Sequence, residues 1–186
     1  MERKGYVIRN QQAVYFLTFT VCGWIDIFTR KTYRDIVIDS FKHCQLKKGL
    51  HLHAYVIMSN HVHLIASVDE GFTLSGFIRD CKKFTSKKIL HEIQNNGVES
   101  RKEWMLHQFK YYASRHSRNE DFQLWEHDNH PVELSTPAFT QQKIDYIHQN
   151  PVTAGLVYRA EDYIYSSASN YAGIDQIIDV DCLFFL

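Results

Sequence analysis

The chain has 186 residues, of which 45% are hydrophobic, and this is the size of one ordinary domain with its own core. We therefore predict a single domain over residues 1–186. No apolar stretch approaches the roughly 20 residues of a membrane-spanning helix, and the polar start lacks the apolar centre of a secretory signal. The four cysteines stand singly, without a C-x-x-C pair, so we expect reduced thiols and a cytoplasmic protein.

The net charge is zero, but the charges are unevenly distributed along the chain. Residues 79–118 carry ten basic and four acidic side chains, whereas residues 120–186 carry two basic and eleven acidic ones. A basic segment attracts phosphates even at a neutral pI, because the electrostatic potential follows the local charge. The alternative interpretation is a solvated helix face that bears lysines.

The first predicted elements are a strand, a helix and two further strands. Residues 13–22 are rich in β-branched and aromatic types, which favours a strand. Residues 32–48 have apolar side chains at helical spacing, and Gly49 follows as a stop signal. Two apolar runs, residues 52–58 and 61–68, predict the next two strands.

Three helices are predicted further along the chain. Residues 73–94 form the longest helical pattern, and residues 100–113 predict a second helix. Thr136 and Pro137 supply an N-cap and a first helical residue for a third helix, which should end before Pro151 because proline lacks an N–H donor. Such alternation predicts an α+β fold, an antiparallel or mixed sheet with helices mainly on one face.

Two histidines, His61 and His63, stand two residues apart in the last predicted strand. Residues at this spacing project from the same face, so Val62 and Leu64 point the other way. Two imidazoles on one face can converge on a divalent ion such as Mn²⁺ or Mg²⁺ if a third ligand comes from elsewhere. An H-x-H pair alone is a weak signal, and the alternative is two half-exposed histidines hydrogen-bonded to their neighbours.

Tyr146 belongs to the helix that begins at Pro137. It lies one turn before Asn150, on nearly the opposite face from Ile144 and Ile147. A phenol there is not obviously part of the core, although helix tyrosines are usually packing groups. A metal ion could support attack by this phenol on a phosphodiester, and a covalent phosphotyrosine intermediate would result.

Cationic and aromatic side chains alternate in the basic segment, which is typical of proteins that hold single-stranded DNA. In such proteins a positive groove follows the backbone, and each stacked base contributes about 1–3 kcal/mol. Many of these aromatic residues could instead belong to the core. The predicted DNA-binding residues are Lys82, Lys83, Lys87, Lys88, Arg101, Lys102, Lys110, Arg115 and Arg118.

A second polar cluster surrounds Trp125 and consists of Glu126, His127, His130 and Glu133. A second metal site is one interpretation, but a His-x-x-His pair outside a predicted helix is weak evidence. We favour a loop that Trp125 supports.

Three motifs carry a resemblance to a known family. They are residues 54–65 (AYVIMSNHVHLI), 124–127 (LWEH) and 145–157 (DYIHQNPVTAGLV). Their order and separation resemble the REP-associated tyrosine transposases, which belong to the HUH (His-hydrophobe-His) single-strand transposase superfamily. The similarity extends over residues 13–172, most of the chain.

The resemblance implies a ferredoxin-like (RRM-like) antiparallel sheet that bears both histidines, with the tyrosine on a facing helix. It implies that His61 and His63 bind Mg²⁺ or Mn²⁺, and that Tyr146 is the nucleophile that becomes linked to a 5′ phosphate. Asn150 occupies the position of a third metal ligand, and the adjacent Gln149 is the less favoured choice. The implied partner is single-stranded DNA with a hairpin, a REP-like repeat, and both a monomer and a homodimer stay open.

Two other functions stay open at this point. A domesticated protein could recognise a nucleic-acid hairpin without cutting it. An enzyme could also use the histidine pair for metal-assisted hydrolysis with water as the nucleophile. The second alternative predicts turnover that survives Tyr146→Phe, whereas the transposase interpretation predicts loss of cleavage with binding retained.

Overall fold

The computed structural model describes residues 8–95, 97, 99–115, 121–174 and 176–185. Its elements are β1 (Tyr15–Thr20), α1 (Lys31–Lys47), β2 (Leu50–Ile57), β3 (His61–Val68), α2 (Leu74–Asn95), α3 (Lys102–Ser114), β4 (Val132–Glu133), α4 (Pro137–Thr153) and α5 (Ala168–Tyr171), with 3₁₀ turns at Cys22–Trp24, Ile27–Thr29 and Ala160–Asp162. Every predicted strand and helix is present, with its ends moved by a few residues. β4 and α5 were not predicted, because they are too short to show a periodic pattern. Within the described part of the chain, no helix is both long enough and apolar enough to cross a bilayer.

The four strands form one antiparallel sheet in the order β2-β3-β1-β4. The register places Thr18 of β1 opposite His63 and Thr20 opposite His61. Directly opposed residues of neighbouring strands project from the same face of a sheet. These two threonines therefore share the face of the histidine pair.

α1 and α2 cover one face of the sheet, where the main core lies. Val62, Leu64, Ala66 and Val68 of β3 all point into this core and are at most 4% exposed. The predicted alternation along this strand is confirmed. Ile65 packs into a second, smaller core on the opposite face.

α4 packs on that opposite face, against β2 and β3. Its Ile144 and Ile147 are buried beside Phe16 of β1 and Val56 of β2. The α+β class and the antiparallel sheet are thus confirmed, with two long helices on one face and α4 on the face of the histidines. This packing brings the predicted catalytic helix next to β3.

Local chemistry explains the start of α4, but not its end. The Thr136 hydroxyl accepts a hydrogen bond from the N–H of Phe139 at 3.3 Å, and Pro137 is the first helical residue, as predicted. The prediction that this helix ends before Pro151 is wrong, because α4 continues to Thr153. A proline in the last turn removes only one N–H donor, and its buried ring packs in the protein interior.

A segment near the C-terminus covers the outer edge of β2. The N–H of Ile57 donates to the carbonyl of Tyr165, and the N–H of Ser167 donates to the carbonyl of Tyr55, both at 2.9 Å. Further along, the N–H of Asp181 also donates to a β2 carbonyl. A paired edge offers fewer free backbone groups, so this segment protects the edge of the sheet from pairing with a strand of another chain.

Candidate active site

The two histidines of β3 lie side by side on the face that α4 covers. The ring centroids of His61 and His63 are 4.7 Å apart. His63 is only 7% exposed and stacks on Phe16 at 5.2 Å between centroids. His61 is less buried, and its ring meets the ring of Trp24 edge-on at 5.8 Å. The H-x-H pair therefore forms one compact group at the rim of the sheet.

One nitrogen of each imidazole is held by a side-chain oxygen. Nδ1 of His61 lies 2.7 Å from Oδ1 of Asn60, and Nδ1 of His63 lies 2.9 Å from Oγ1 of Thr18. The Asn60 amide donates to the carbonyl of Trp24, which fixes its orientation, so its oxygen faces His61 and Nδ1 carries the proton. The Thr18 hydroxyl can accept from His63 in the same way. Both Nε2 atoms then keep their lone pairs for a ligand.

Burial keeps both imidazoles in the neutral form. It lowers the pKa of His61, and it lowers the pKa of His63 to about 3, with smaller effects from His61 and Lys143. A nitrogen that binds a proton so weakly is a poor general base at neutral pH. A neutral imidazole keeps a lone pair that can bind a metal ion.

Tyr146 brings a phenol to the histidines from α4. Its Oη lies 3.4 Å from Nε2 of His63, the outer limit of a hydrogen bond, and the ring centroids are 5.2 Å apart. The ring of Phe16 supports it edge-on at 6.0 Å. Because Ile144 and Ile147 bury the other side of the helix, the Tyr146 side chain stays 49% exposed at the mouth of the site.

Asn150 lies one turn after Tyr146 and is partly buried. Its Nδ2 donates to the main-chain carbonyl of Tyr146 at 2.7 Å, which leaves Oδ1 as the acceptor. In the described residues it makes no hydrogen bond with either histidine. Gln149 is exposed. Ligation by Asn150, with Gln149 as the less favoured alternative, stays a prediction.

The donors at this site fit a divalent metal ion. Two neutral imidazoles and an amide oxygen suit Mn²⁺, and they suit Mg²⁺ when water and phosphate oxygens complete its shell. Each histidine also has the oxygen partner on Nδ1 that is usual for metal-binding imidazoles. Within the described ranges, no group of three or more His, Cys, Asp and Glu side chains could hold a metal ion. A third protein ligand from an amide stays a prediction.

Lys143 belongs to the site, although the sequence patterns did not single it out. Its Nζ lies 4.9 Å from the ring centroid of Phe16 and 5.7 Å from that of Tyr146. Lys143 precedes Tyr146 by three residues, a spacing that places both on one side of a helix and could have indicated it. It supplies a positive charge beside the phenol.

Thr18 and Asn60 also were not predicted as site residues. Thr18 faces His63 only because of the pairing register between β1 and β3, and no local pattern reveals such a register. Asn60 is adjacent to His61 in sequence, so its proximity to the motif was the available signal.

The predicted DNA-binding residues fall into two groups. Lys82 donates to the carbonyl of Glu126 at 2.7 Å, Arg101 pairs with Asp26 at 2.5 Å, and Lys102 donates to a main-chain carbonyl of α2. These three cations are therefore tied to groups of the protein itself. The exposed members are Lys83, Lys87, Lys88, Lys110 and Arg115, and Arg118 lies outside the described residues. A DNA-binding role stays a prediction for all of them.

Trp125 anchors the polar cluster before α4. Its Nε1 donates to the hydroxyl of Thr85 at 3.0 Å, and its ring packs against Phe19 and Phe28. The prediction of a loop supported by Trp125 is confirmed for residues 126–130, whereas Glu133 lies in β4. The same segment and α2 enclose a cleft of about 700 Å³ lined by Arg79, Lys82 and Lys83, among others.

Residues 11–126 match the family model described as Transposase IS200 like, and the chain belongs to this family of transposases. The matched region contains both histidines and ends before α4. The resemblance seen in the three motifs is thereby confirmed at the level of the family.

The fold is similar to a solved structure of the REP-associated tyrosine transposase bound to a REP hairpin. The TM-score is 0.65 at 15% sequence identity, over 100% of this chain and 98% of that chain. At this identity the likeness shows a shared fold. A candidate transposase from Deinococcus radiodurans R1 gives a TM-score of 0.44 at 18% identity, over 80% of this chain and 98% of that one. This score is too low to establish a shared fold. The comparison with curated protein sequences gives no match.

Proposed function

We propose that the protein is a metal-dependent tyrosine transposase that cleaves and rejoins hairpin-bearing single-stranded DNA. The observation that carries this proposal is the convergence of Oη of Tyr146 on Nε2 of His63, at 3.4 Å, beside the ring of His61. A nucleophile and two prospective metal ligands meet at one point although they come from separate elements.

The site residues have distinct roles in this proposal. Nε2 of His61, Nε2 of His63 and Oδ1 of Asn150 would hold Mg²⁺ or Mn²⁺. Such an ion, when bound, withdraws charge from the scissile phosphate and stabilises the negative charge of the transition state. Thr18 and Asn60 keep the two imidazoles in the tautomer that ligation requires.

Tyr146 carries the covalent step. Its Oη attacks the phosphorus and loses its proton to solvent, while the bond from phosphorus to the 3′ oxygen breaks and that oxygen takes up a proton. The products are a 5′ phosphotyrosine and a free 3′ hydroxyl. Attack by a 3′ hydroxyl on the phosphotyrosine then rejoins DNA and releases Tyr146 without an external energy source.

Two observations support hairpin-bearing DNA as the substrate. The solved structure with the same fold is bound to a REP hairpin. Exposed lysines of α2, among them Lys83, Lys87 and Lys88, supply positive charge that attracts a phosphate backbone. Affinity should therefore fall as the salt concentration rises.

The test is a denaturing gel of the protein with 5′- and 3′-labelled hairpin oligonucleotides and Mn²⁺. We expect a protein-linked, 3′-labelled fragment with the wild type and none with Tyr146→Phe, His61→Ala or EDTA. Tyr158→Phe and His107→Ala are matched controls, because both residues are exposed and lie outside the site. Cleavage that persists in Tyr146→Phe would indicate water as the nucleophile. Hairpin binding by a wild type that never cuts would indicate a binding module.

A further inference from the structure

Trp24 is an exposed aromatic residue beside the histidine pair. Its side chain is 64% exposed, whereas the core residue Trp125 is only 5% exposed. The ring of Trp24 meets the ring of His61 edge-on, with 5.8 Å between centroids. A flat, exposed ring next to a phosphodiester-cleaving site is suited to stack on a DNA base.

The backbone at Trp24 has an unusual conformation. Its φ is +56°, a left-handed value that bulky residues rarely adopt. Gly23 before it has a φ of +65°, and a Cβ there would lie only 2.7 Å from Oη of Tyr112 in α3. Strain at a residue that buries little apolar surface is not explained by packing, so a functional reason is the better explanation.

Asn60 couples Trp24 to the histidine pair. Its Nδ2 donates to the carbonyl of Trp24 at 3.2 Å, and its Oδ1 accepts from Nδ1 of His61 at 2.7 Å. One side chain therefore fixes both the main chain of Trp24 and the ring of His61. A base stacked on Trp24 would therefore be held at a defined position relative to His61, a prospective metal ligand.

The surface next to Trp24 continues with aromatic and cationic groups of α3. Tyr112, which contacts the turn at Gly23, packs on Tyr111 with 5.5 Å between centroids. Tyr111 is 49% exposed, and the guanidinium of Arg115 lies 5.6 Å from its ring centroid. A single strand that leaves Trp24 in this direction would meet further stacking and phosphate-binding groups.

We propose that Trp24 stacks on the nucleotide next to the scissile phosphate and so positions that phosphate at the histidine pair. The proposal rests on the proposed function, because it assumes a single-stranded DNA substrate. Trp24 acts here as a positioning residue for the reaction.

The test measures binding without cleavage, in the Tyr146→Phe background. Dye-labelled hairpin oligonucleotides with a single-stranded extension are titrated by fluorescence anisotropy, and an abasic site is moved along the extension one nucleotide at a time. We expect Trp24→Ala to weaken binding about tenfold and Trp24→Phe to keep most of the affinity. Phe72→Ala, an exposed aromatic beyond the other end of β3, should leave the affinity unchanged.

A double-mutant cycle identifies the stacked base. When the abasic site replaces the base that stacks on Trp24, the abasic site and Trp24→Ala together should weaken binding no more than either change alone. Three outcomes would overturn the proposal. They are losses of affinity that add at every position of the abasic site, an unchanged affinity in Trp24→Ala, and no binding of single-stranded DNA by the parent protein. Mn²⁺ affinity measured on the same variants should stay unchanged, since a loss would mean that Trp24 acts only by holding His61. The cycle does not need cleavage, so the two proposals can fail separately: a coupled base in a wild type that never cuts would refute both the proposed chemistry and the positioning role, and would leave Trp24 as a base-stacking residue only.

Discussion

The phenol oxygen of Tyr146 lies 3.4 Å from Nε2 of His63, although 83 residues separate them in sequence. Two packing features produce this distance. Ile144 and Ile147 fix α4 on the sheet, and the alternation of β3 turns His63 toward that helix. The reactive geometry therefore depends on the small core on this face.

Thr18→Val should weaken metal binding. The valine keeps the shape and strand preference of the threonine but removes the oxygen that holds Nδ1 of His63. Loss of such a partner typically reduces metal affinity or activity by about 10- to 100-fold. Isothermal titration with Mn²⁺ and single-turnover cleavage measure both effects, with Thr29→Val outside the site as the control. Unchanged Mn²⁺ affinity would show that Thr18 does not orient His63 for ligation.

Lys143→Met should slow cleavage more than it weakens binding. The variant keeps apolar packing on Phe16 and Tyr146 but removes the positive charge beside the phenol. We expect the single-turnover rate to fall by about 10- to 100-fold, because a cation at this position favours the charge that develops in the transition state. Lys143→Arg should recover part of the rate, and Lys47→Met, at an exposed position of α1 on the other face of the sheet, is the control. A loss confined to DNA affinity would instead assign Lys143 to general phosphate attraction.

Lys82 should make stability depend on pH in the alkaline range. Burial lowers the pKa of its ammonium from 10.5 to about 8, although it donates to the carbonyl of Glu126. Between these values the unfolded chain binds more protons than the folded protein, so the free energy of unfolding rises with pH. Relative to Lys82→Met, the wild type should gain about 2 kcal/mol from pH 7 to pH 9.5.

Urea denaturation at the two pH values checks the Lys82 prediction. Lys83→Met, at the exposed neighbouring position, should follow the wild type. Parallel pH profiles for the wild type and Lys82→Met would mean that Lys82 titrates normally in the folded protein.

His51 should stabilise the C-terminal segment mainly at low pH. It lies 2.8 Å from the carboxylate of Asp69 and 2.8 Å from that of Asp181, and these hydrogen bonds raise its pKa. The stabilisation is fully present below the unfolded pKa near 6.5 and is lost as the pH rises through the raised folded value. Because these side chains are about half exposed, we expect less than about 1 kcal/mol.

Asp181→Asn tests the His51 interaction. Chemical denaturation should show a larger loss of stability at pH 5.5 than at pH 8.5 relative to the wild type. An equal loss at the two pH values would mean that the charge interaction with His51 does not contribute, because Asp181→Asn keeps the main-chain bond to β2.

The sequence by itself determined the longer strands and helices and the motif residues, because the signals involved are local. Strand alternation placed His61 and His63 on one face, and the Thr136-Pro137 cap located the start of α4. The resemblance of the three motifs indicated the family, which the family model confirms. The end of α4 was predicted wrongly, because a proline near the end of a helix costs only one hydrogen bond.

The tertiary structure decided which residues meet at the site. Strand register placed Thr18 against His63, and the packing of α4 placed Tyr146 and Lys143 beside the same ring. The burial of Lys82 depends on a contact between α2 and a distant loop. Such contacts join residues far apart in sequence, and a local pattern of side chains carries no information about the distance that folding leaves between them.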